Sequence, residues 1–318
     1  MRQLPWPSRT IVRALVVLAA GAAASVAAAQ SGRDQPLPSK RVEAPLPKGP
    51  PNPKHDEIVM IGPDKWQAHN GSKPHSLSIK GPNYRFEVKK GDRAPFDNDA
   101  KERSELASLV RIPAGKLFRA KFEFMIEPGP VTDRQWLIPF QIHQDDPSSA
   151  PQGSELKNSI GVSPLFGLYI IAKDGREVLQ VRGETSPTSP LKRFPDERVF
   201  TEVPFERGTR HSVLVEVIDN NGVDTEPFEP GTEWRGHSGR DDNFGKGTGL
   251  LRVTYNGKVI VDRPNIPMGY GHAAPSKGGR GSYAKFGIYA GASPNPSNTA
   301  PIVAHFYGIH ATIGAERS

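Results

Sequence analysis

Apolar and polar side chains alternate with a period of two along the chain after residue 57, and this alternation constrains the fold most. The clearest run is Leu117–Glu127, in which one side carries Phe118, Ala120, Phe122, Phe124 and Ile126. Successive side chains of a β-strand point to opposite faces, so such a run has one face suited to a core. Clusters of Gly, Pro, Asn and Asp separate similar runs: Tyr84–Val88, Trp136–His143, Phe166–Ala172, Glu177–Arg182, His211–Asp219, Leu250–Tyr255, Lys258–Asp262, Tyr283–Tyr289 and Ile302–Ile309. The pattern predicts a series of short strands.

The turn chemistry and the lack of other patterns favour a sandwich of two antiparallel sheets. Tyr255-Asn256-Gly257-Lys258 places an Asn-Gly pair between two apolar runs, which is the strongest short signal for a hairpin. The sequence has no long amphipathic helix and no repeat of the length of a propeller blade. We therefore predict an all-β fold.

The N-terminus has the pattern of a secretory signal peptide over residues 1–29. Arg2, Arg9 and Arg13 precede or open an apolar run, Ile11–Ala29, which ends in three alanines before Gln30. A periplasmic or secreted location follows, with an uncleaved membrane anchor as the alternative. No later segment is apolar enough to cross a membrane, so no stable membrane insertion is expected after cleavage.

The next segment, residues 30–56, contains seven prolines and almost no aliphatic side chains. Such a composition cannot bury a core and predicts an extended, disordered linker. Residues 57–318 are then one domain, of a length that is ordinary for a single β-sandwich. Cysteine is absent, which excludes thiolate catalysis and cysteine-based zinc sites. A domain of this size folds without disulfides, and we expect a monomer.

Charge and histidine spacing bear on partners and cofactors. After signal removal 38 basic residues stand against 34 acidic ones, a net charge of +4. This balance suits an anionic partner, although simple solubility explains it equally well. The export signal argues against a nucleic acid partner. The nine histidines are scattered without metal-ligand spacing, so we predict no metal and no cofactor; a structural calcium ion bound by loop aspartates is conceivable but not signalled.

Three short motifs combine the alternation with unusual polar residues: Arg103-Ser104-Glu105-Leu106, Gln141-Ile142-His143 and Tyr283-Ala284-Lys285-Phe286-Gly287-Ile288-Tyr289. Parity places on one face of each strand Arg103 with Glu105, Gln141 with His143, and Tyr283 with Lys285, Gly287 and Tyr289. The opposite faces carry Leu106, Phe140, Ile142, Ala284, Phe286 and Ile288. Any one of these strands could be an ordinary solvated strand. If they are neighbours, they form one surface of Arg, Glu, Gln, His, Lys and Tyr.

In this order and separation, the three motifs resemble the signature strands of jelly-roll polysaccharide lyases. The family 7 alginate lyases carry all three patterns, and the segments Arg85–Val88 and Tyr283–Tyr289 look closer to the heparin lyase I and glucuronan lyase-like group. The resemblance spans roughly residues 57–312. It implies a β-jelly-roll (concanavalin-like) sandwich and β-elimination on an anionic, uronate-containing polysaccharide.

The resemblance also implies roles for individual residues. Arg103 and Gln141 match positions that bind and neutralise the substrate carboxylate, and His143 and Tyr289 match the acid/base pair. Lys285 matches a substrate-contacting position, and we expect Tyr283 and Glu105 to line the same substrate-binding face.

Two departures put alginate specificity in doubt. Ala107 stands where the alginate lyase pattern has a second arginine. Ala290-Gly291 follows Tyr289 where those enzymes usually have Asn-Gln.

The chemistry fits these residue types. Removing the C5 proton of a uronate builds negative charge that preorganised donors must stabilise. A neutral histidine suits a base near neutral pH, and a tyrosine hydroxyl can protonate the departing oxygen. A tyrosine with a depressed pKa could also serve as base, so the division of labour between His143 and Tyr289 stays open.

Two other function classes remain as alternatives. A glycoside hydrolase on the same fold needs two suitably placed carboxylates, and the sequence shows no convincing pair. A non-catalytic glycan-binding module would explain the aromatic and charged residues but not His143 and Tyr289 within the ordered motifs. The Gly-rich insert Gly222–Gly249 contains Trp234 and Arg235, which we expect to bind substrate if the insert acts as a lid; a disordered insert is equally compatible.

Overall fold

The computed structural model of the protein describes residues 48–113, 115–144, 164–185, 196–219, 249–266, 268, 282–295 and 297–316. All of them belong to one compact unit, Val42–Ser318. The predicted signal peptide and the insert residues 222–248 lie outside the described residues.

The described residues form fifteen strands and no helix: β1 Ile58–Ile61, β2 Asp64–Asn70, β3 Leu77–Lys80, β4 Asn83–Val88, β5 Lys101–Ser108, β6 Lys116–Ile126, β7 Leu137–Gln144, β8 Phe166–Lys173, β9 Arg176–Thr185, β10 Asp196–Pro204, β11 His211–Ile218, β12 Gly249–Tyr255, β13 Lys258–Ile266, β14 Ser282–Gly291 and β15 Ile302–Glu316. One sheet has the order β1-β2-β5-β14-β7-β8-β9-β10, and the other has the order β13-β12-β11-β6-β15-β4-β3. Neighbouring strands pair antiparallel throughout these sheets, for example β14 with β5 and β7, and β6 with β11. The prediction of an antiparallel β-jelly-roll sandwich is confirmed.

The two sheets enclose a core rich in phenylalanine. Phe122 of β6 lies between the sheets, with its ring centroid 5.1 Å from those of Phe140 on β7 and Phe286 on β14. The alternation in β6 is confirmed, because its apolar residues are buried while Arg119, Lys121 and Glu123 are exposed. Each buried aromatic side chain contributes on the order of 2–3 kcal/mol. The apolar face of each strand therefore fixes which side turns outward.

The predicted hairpin between β12 and β13 is also present. Tyr255 pairs with Lys258, and the two residues between them have positive φ angles, 49° at Asn256 and 77° at Gly257. Two left-handed residues define a turn that matches the twist of the strands it joins.

The domain begins earlier than the sequence suggests. Lys48 exchanges two backbone hydrogen bonds with Met60 of β1, at 3.0 and 2.7 Å. The Pro51 carbonyl accepts a bond from the amide of Ile79, and the Pro53 carbonyl accepts one from the side chain of Asn70. Proline lacks an N–H group but keeps its carbonyl acceptor. Residues 48–56, predicted as the end of a disordered linker, are thus part of the folded domain.

Strand β14 lies in the middle of the eight-stranded sheet, between β5 and β7. Its pairing with β5 is regular, whereas its pairing with β7 shifts register between Phe286 and Tyr289. A bulge of this kind inserts a residue and re-aims the side chains beyond it. Gly287 lies inside the bulge with φ 136°, and a Cβ there would lie 2.3 Å from the Ser104 carbonyl oxygen. Only glycine fits this position.

Within the part of the chain that the structure describes, no helix is long and apolar enough to cross a membrane.

Candidate active site

The three sequence motifs lie on three neighbouring strands, β5, β14 and β7. Across β14 and β5, Tyr289 pairs with Arg103; across β14 and β7, Lys285 pairs with Gln141 and Tyr283 pairs with His143. The apolar residues between them are in the core, as the parity argument predicts: Leu106, Phe140, Ile142, Ala284, Phe286 and Ile288. Paired residues point to the same side of a sheet, so the polar residues share its outer face.

This polar face is far less exposed than a solvated sheet. Arg103, Glu105, Gln141 and Lys285 are 5%, 1%, 1% and 6% exposed. The loop between β4 and β5 covers one end of this face. There the Arg103 Cζ atom lies 5.4 Å from the centroid of the Phe96 ring. Burial in a low-dielectric environment strengthens electrostatic interactions among these groups.

Arg103 is held by two carboxylates of its own chain. Its Nε and Nη2 atoms donate to the two carboxylate oxygens of Asp97 at 2.7 and 2.9 Å, and its Nη1 atom donates to Glu105. Burial alone would lower the pKa of Arg103, but Glu105 and Asp97 together raise it above its ordinary value. One of the two guanidinium edges that can make a two-pronged contact, Nε with Nη2, is therefore filled by Asp97. This is the structural pairing that competes with the predicted substrate contact.

Tyr289 lies directly beneath this guanidinium. The Arg103 Cζ atom is 4.0 Å from the centroid of the Tyr289 ring, a distance typical of a cation–π contact. The indole of Trp136 lies beside the same ring, tilted by 60° with a centroid distance of 6.2 Å. The orientation of the phenol ring is thus fixed by two neighbours.

Glu105 connects Arg103 to Gln141. One of its oxygens accepts from Arg103, and the other accepts from Gln141 Nε2 at 2.5 Å. Gln141 therefore spends an N–H donor on Glu105, while its Oε1 atom is buried and has no hydrogen-bond partner among the described residues. A buried acceptor without a partner costs free energy, and a ligand hydroxyl would satisfy it.

The other end of the face is aromatic and basic. The Arg111 guanidinium lies 4.4 Å from the Tyr283 ring centroid, and Lys285 Nζ lies 5.3 Å from it. The imidazole of His143 is 5.8 Å from the same ring. His143 of β7 therefore lies beside one end of the β14 motif, at Tyr283. Tyr289 is at the other end, and Lys285 lies between them.

The sequence reasoning missed His69 on β2. It pairs with Glu105 across β2 and β5, so it lies on the same face. Burial, together with the positive charges of Lys285 and Arg103, lowers the pKa of His69 to about 3. The imidazole is consequently neutral at physiological pH. Its signal was available: in the run from Lys65 to Asn70, Trp66 and Ala68 alternate with polar residues.

Asp97 was missed as well, and no periodic pattern marks it. Its side chain is 1% exposed, and its backbone amide donates to the Ala94 carbonyl at 2.9 Å. The loop is thereby folded back so that the carboxylate reaches β5. Loop residues carry no alternation that would predict such a contact.

Two further predictions concern the substrate-binding residues of the Gly-rich insert and the lack of a metal or cofactor. Trp234 and Arg235 lie outside the described residues. Among the described residues, no group of three or more His, Asp or Glu side chains is arranged to hold a metal ion. The absence of a cofactor stays a prediction.

Solved structures of alginate lyases resemble this fold at low identity. They include an enzyme of Pseudomonas aeruginosa, with 17% identity, 75% of this chain and 86% of that chain covered, and a TM-score of 0.46. The lyase AlgAT5 of polysaccharide lyase family 7 has 12% identity, 86% and 96% coverage and a TM-score of 0.47. An enzyme of Corynebacterium sp. has 10% identity, 86% and 96% coverage and a TM-score of 0.44. These values are too low to carry an argument about the substrate of this chain.

Family membership rests on the sequence itself. No curated protein matches the chain. A family model described as "Polysaccharide lyase" matches residues 64–309, which is well over half of the chain and includes all three motifs. The protein belongs to the polysaccharide lyase family.

Proposed function

We propose that this lyase cleaves an acidic, uronate-containing polysaccharide by β-elimination and leaves 4,5-unsaturated ends. The observation that carries the proposal is the row of residues on β14. Tyr289, Lys285 and Tyr283 each lie beside a polar partner on β5 or β7, namely Arg103, Gln141 and His143. A uronate lying across β14 would contact all three motifs together.

Elimination requires stabilisation of negative charge on the substrate carboxylate. Lys285 is 6% exposed and lies between the two groups proposed for proton transfer, so its ammonium would face the bound uronate in a poorly solvated environment. Preorganised charge in such an environment is worth much more than in water. Gln141 Oε1 would accept a hydrogen bond from a hydroxyl of the sugar. The positive charge of Arg103 would add to the electrostatic stabilisation of the substrate carboxylate.

Proton transfer is assigned to His143 and Tyr289. In the proposal one of these two groups, His143 or Tyr289, takes the C5 proton, and the Tyr289 hydroxyl protonates the departing O4 oxygen. Atoms and charge balance: the C5–H and C4–O4 bonds break, a C4–C5 double bond forms, and a new hydroxyl leaves. The neutral His69 would donate a hydrogen bond to the substrate at the Tyr289 end of the face. A neutral imidazole can polarise a carbonyl group in this way.

Neither alternative class is favoured by the described face. A hydrolase would need a carboxylic acid and a carboxylate free to act on the sugar. Asp97 and Glu105 are both bound to Arg103 and almost fully buried. A binding module would not require a tyrosine clamped by an arginine and a tryptophan. Elimination uses the residues that are present.

The protein is proposed to act on its substrate outside the cytoplasm. The basic, apolar and alanine-rich segments of residues 1–29 support export to the periplasm or beyond. The departures at Ala107 and at Ala290-Gly291 support a polyuronate other than alginate, in line with the heparin lyase I and glucuronan lyase-like group. A monomer acting on an anionic glycan without a cofactor completes the proposal.

A substrate screen tests it. The purified mature protein would be incubated with glucuronan, alginate, heparin or heparan sulfate, pectate and chondroitin sulfate. Elimination creates the ultraviolet absorbance of an unsaturated uronate together with each new reducing end, and we expect both to rise on one of these polymers. New reducing ends without the absorbance would mean hydrolysis and would overturn the proposal, as would the absence of any cleavage.

A further inference from the structure

The guanidinium of Arg103 is committed mainly to its own chain. All three of its nitrogens donate to Asp97 or Glu105, which leaves two of its five N–H bonds for other partners. The side chains of Arg103 and Asp97 are 6% and 1% exposed. The plane of the guanidinium is therefore set by the protein before any substrate arrives.

That plane lies against Tyr289 and not against an open subsite. The Arg103 Cζ atom is 4.0 Å from the Tyr289 ring centroid, while Phe96 closes over it from the loop at 5.4 Å. The Tyr289 ring contacts Trp136 as well. An arginine stacked on an aromatic face restricts the ring and places a positive charge beside the phenol.

Asp97 is the residue that holds this arrangement in place. Its two oxygens take the Nε and Nη2 edge of Arg103 at 2.7 and 2.9 Å, a geometry that fixes both the position and the rotation of the guanidinium. Glu105 alone, with one bond to Nη1, would leave Arg103 free to turn.

We propose that Asp97 and Arg103 are positioning residues that act on catalysis through Tyr289, so that Arg103 is not the two-pronged clamp of the substrate carboxylate. This rests on the proposed elimination, in which Tyr289 transfers the proton. The loop between β4 and β5 then belongs to the catalytic apparatus through Asp97. The uronate carboxylate is left to Lys285 and His69, while Gln141 Oε1 accepts a hydrogen bond from a sugar hydroxyl.

A double-mutant cycle separates the two roles. Asp97→Asn keeps the volume of the side chain but removes its charge and one acceptor oxygen, so Arg103 loses the contact that fixes its plane. If Asp97 acts through Tyr289, Asp97→Asn lowers kcat about tenfold with KM nearly unchanged and has almost no further effect in a Tyr289→Phe background, because residues that act as a unit are not additive. Arg103→Lys, which keeps the charge and loses the planar fork, should behave in the same way.

A substrate clamp predicts a different result. The effects of Arg103→Lys and Tyr289→Phe would then multiply, and Arg103→Lys would raise KM because ground-state binding is lost. Either finding overturns the inference. If the residual activity of Tyr289→Phe is too low for the cycle, the division between kcat and KM in the single variants decides alone.

The control is a second arginine, part-buried, that makes the same two-pronged contact with a carboxylate. Arg207 donates through Nε and Nη2 to the two oxygens of Glu177, both at 2.8 Å, away from β14. Arg207→Lys should lower the melting temperature as Arg103→Lys does and leave kcat unchanged. Wild-type protein that forms unsaturated ends establishes elimination independently, so an additive cycle would refute the positioning role alone.

Discussion

Tyr289 of β14 lies directly opposite Arg103 of β5, and the guanidinium covers its ring at 4.0 Å. The pair joins the first and last of the three sequence motifs. It also places the proposed proton donor against a guanidinium that Asp97 and Glu105 hold in place.

The first prediction concerns this hydroxyl. Tyr289→Phe removes one oxygen from a ring that stays packed between Arg103 and Trp136, so stability should change by less than about 1 kcal/mol. Turnover should fall by about 10²-fold or more if the hydroxyl transfers a proton. Initial rates of unsaturated-end formation and thermal unfolding would measure the two effects.

The opposite sheet offers a matched control for this variant. The Arg210 Cζ atom lies 3.9 Å from the centroid of the Tyr307 ring on β15. The same kind of contact is thus present outside the candidate active site. Tyr307→Phe should leave turnover unchanged. Equal rates for wild type and Tyr289→Phe would remove Tyr289 from the mechanism.

The second prediction concerns the other member of the acid/base pair. His143→Ala removes the imidazole next to Tyr283 at the far end of the face. We expect a fall in kcat of about 10²-fold or more if the imidazole takes the C5 proton. His310→Ala on β15 is the control, since His310 is an exposed histidine on the other sheet. Retention of wild-type kcat by His143→Ala would leave Tyr289 or His69 as the base.

Much of this site could be predicted from parity alone. The alternation in the three motifs separates Phe286 and Ile142, which are in the core, from Lys285 and Gln141, which share the outer face. Side chains alternate along any regularly paired strand, as β14 is against β5, so the division between faces could be predicted without the tertiary structure.

The rest depended on contacts that have no period. Asp97 precedes Arg103 by six residues in an irregular loop, and only the folded loop shows that its carboxylate returns to β5. The alternation in Lys65–Asn70 puts His69 on the polar face of a strand, but only the pairing of β2 with β5 shows that this face belongs to the site. The packing of residues 48–56 was hidden because proline-rich composition describes side chains, whereas the contacts are made by backbone carbonyls.

The third prediction concerns Gly287 in the bulge of β14. A Cβ atom there would lie 2.3 Å from the Ser104 carbonyl oxygen and 2.7 Å from the Glu105 Cα atom, both on the backbone of β5. Gly287→Ala should therefore destabilise the fold by about 3 kcal/mol or more, since neither strand can move away easily. Chemical denaturation would measure the free energy of unfolding.

Gly257 in the β12–β13 hairpin isolates the cost of the backbone angle. Its φ is 77°, and a Cβ there would meet nothing within 4 Å. Gly257→Ala should cost only about 1–2 kcal/mol, the price of a left-handed alanine. A Gly287→Ala protein as stable as Gly257→Ala would show that the two strands can separate without loss.

The last prediction concerns acid stability and His211. Its Nε2 atom donates to the Glu206 carbonyl at 2.8 Å, and its Nδ1 atom accepts the Tyr255 hydroxyl at 2.6 Å. Burial lowers the pKa of His211, against a smaller opposing effect of Glu206. The folded protein therefore keeps this imidazole neutral below the pH at which a histidine of the unfolded chain, with a pKa of about 6.5, binds a proton.

The sign of the pH dependence follows from this difference. The stabilisation is fully present above pH ~6.5 and is lost as the pH falls toward the depressed folded pKa, because the unfolded chain binds more protons in that range. His69, whose pKa is lowered to about 3, adds a loss of the same sign. We expect the melting temperature to fall between pH ~6.5 and ~4, and His211→Gln and His69→Gln each to make that fall shallower. The two residues lie on different sheets, so the double variant should show the sum of both changes. A pH profile of the double variant as steep as that of the wild type would assign the acid sensitivity to carboxylates instead.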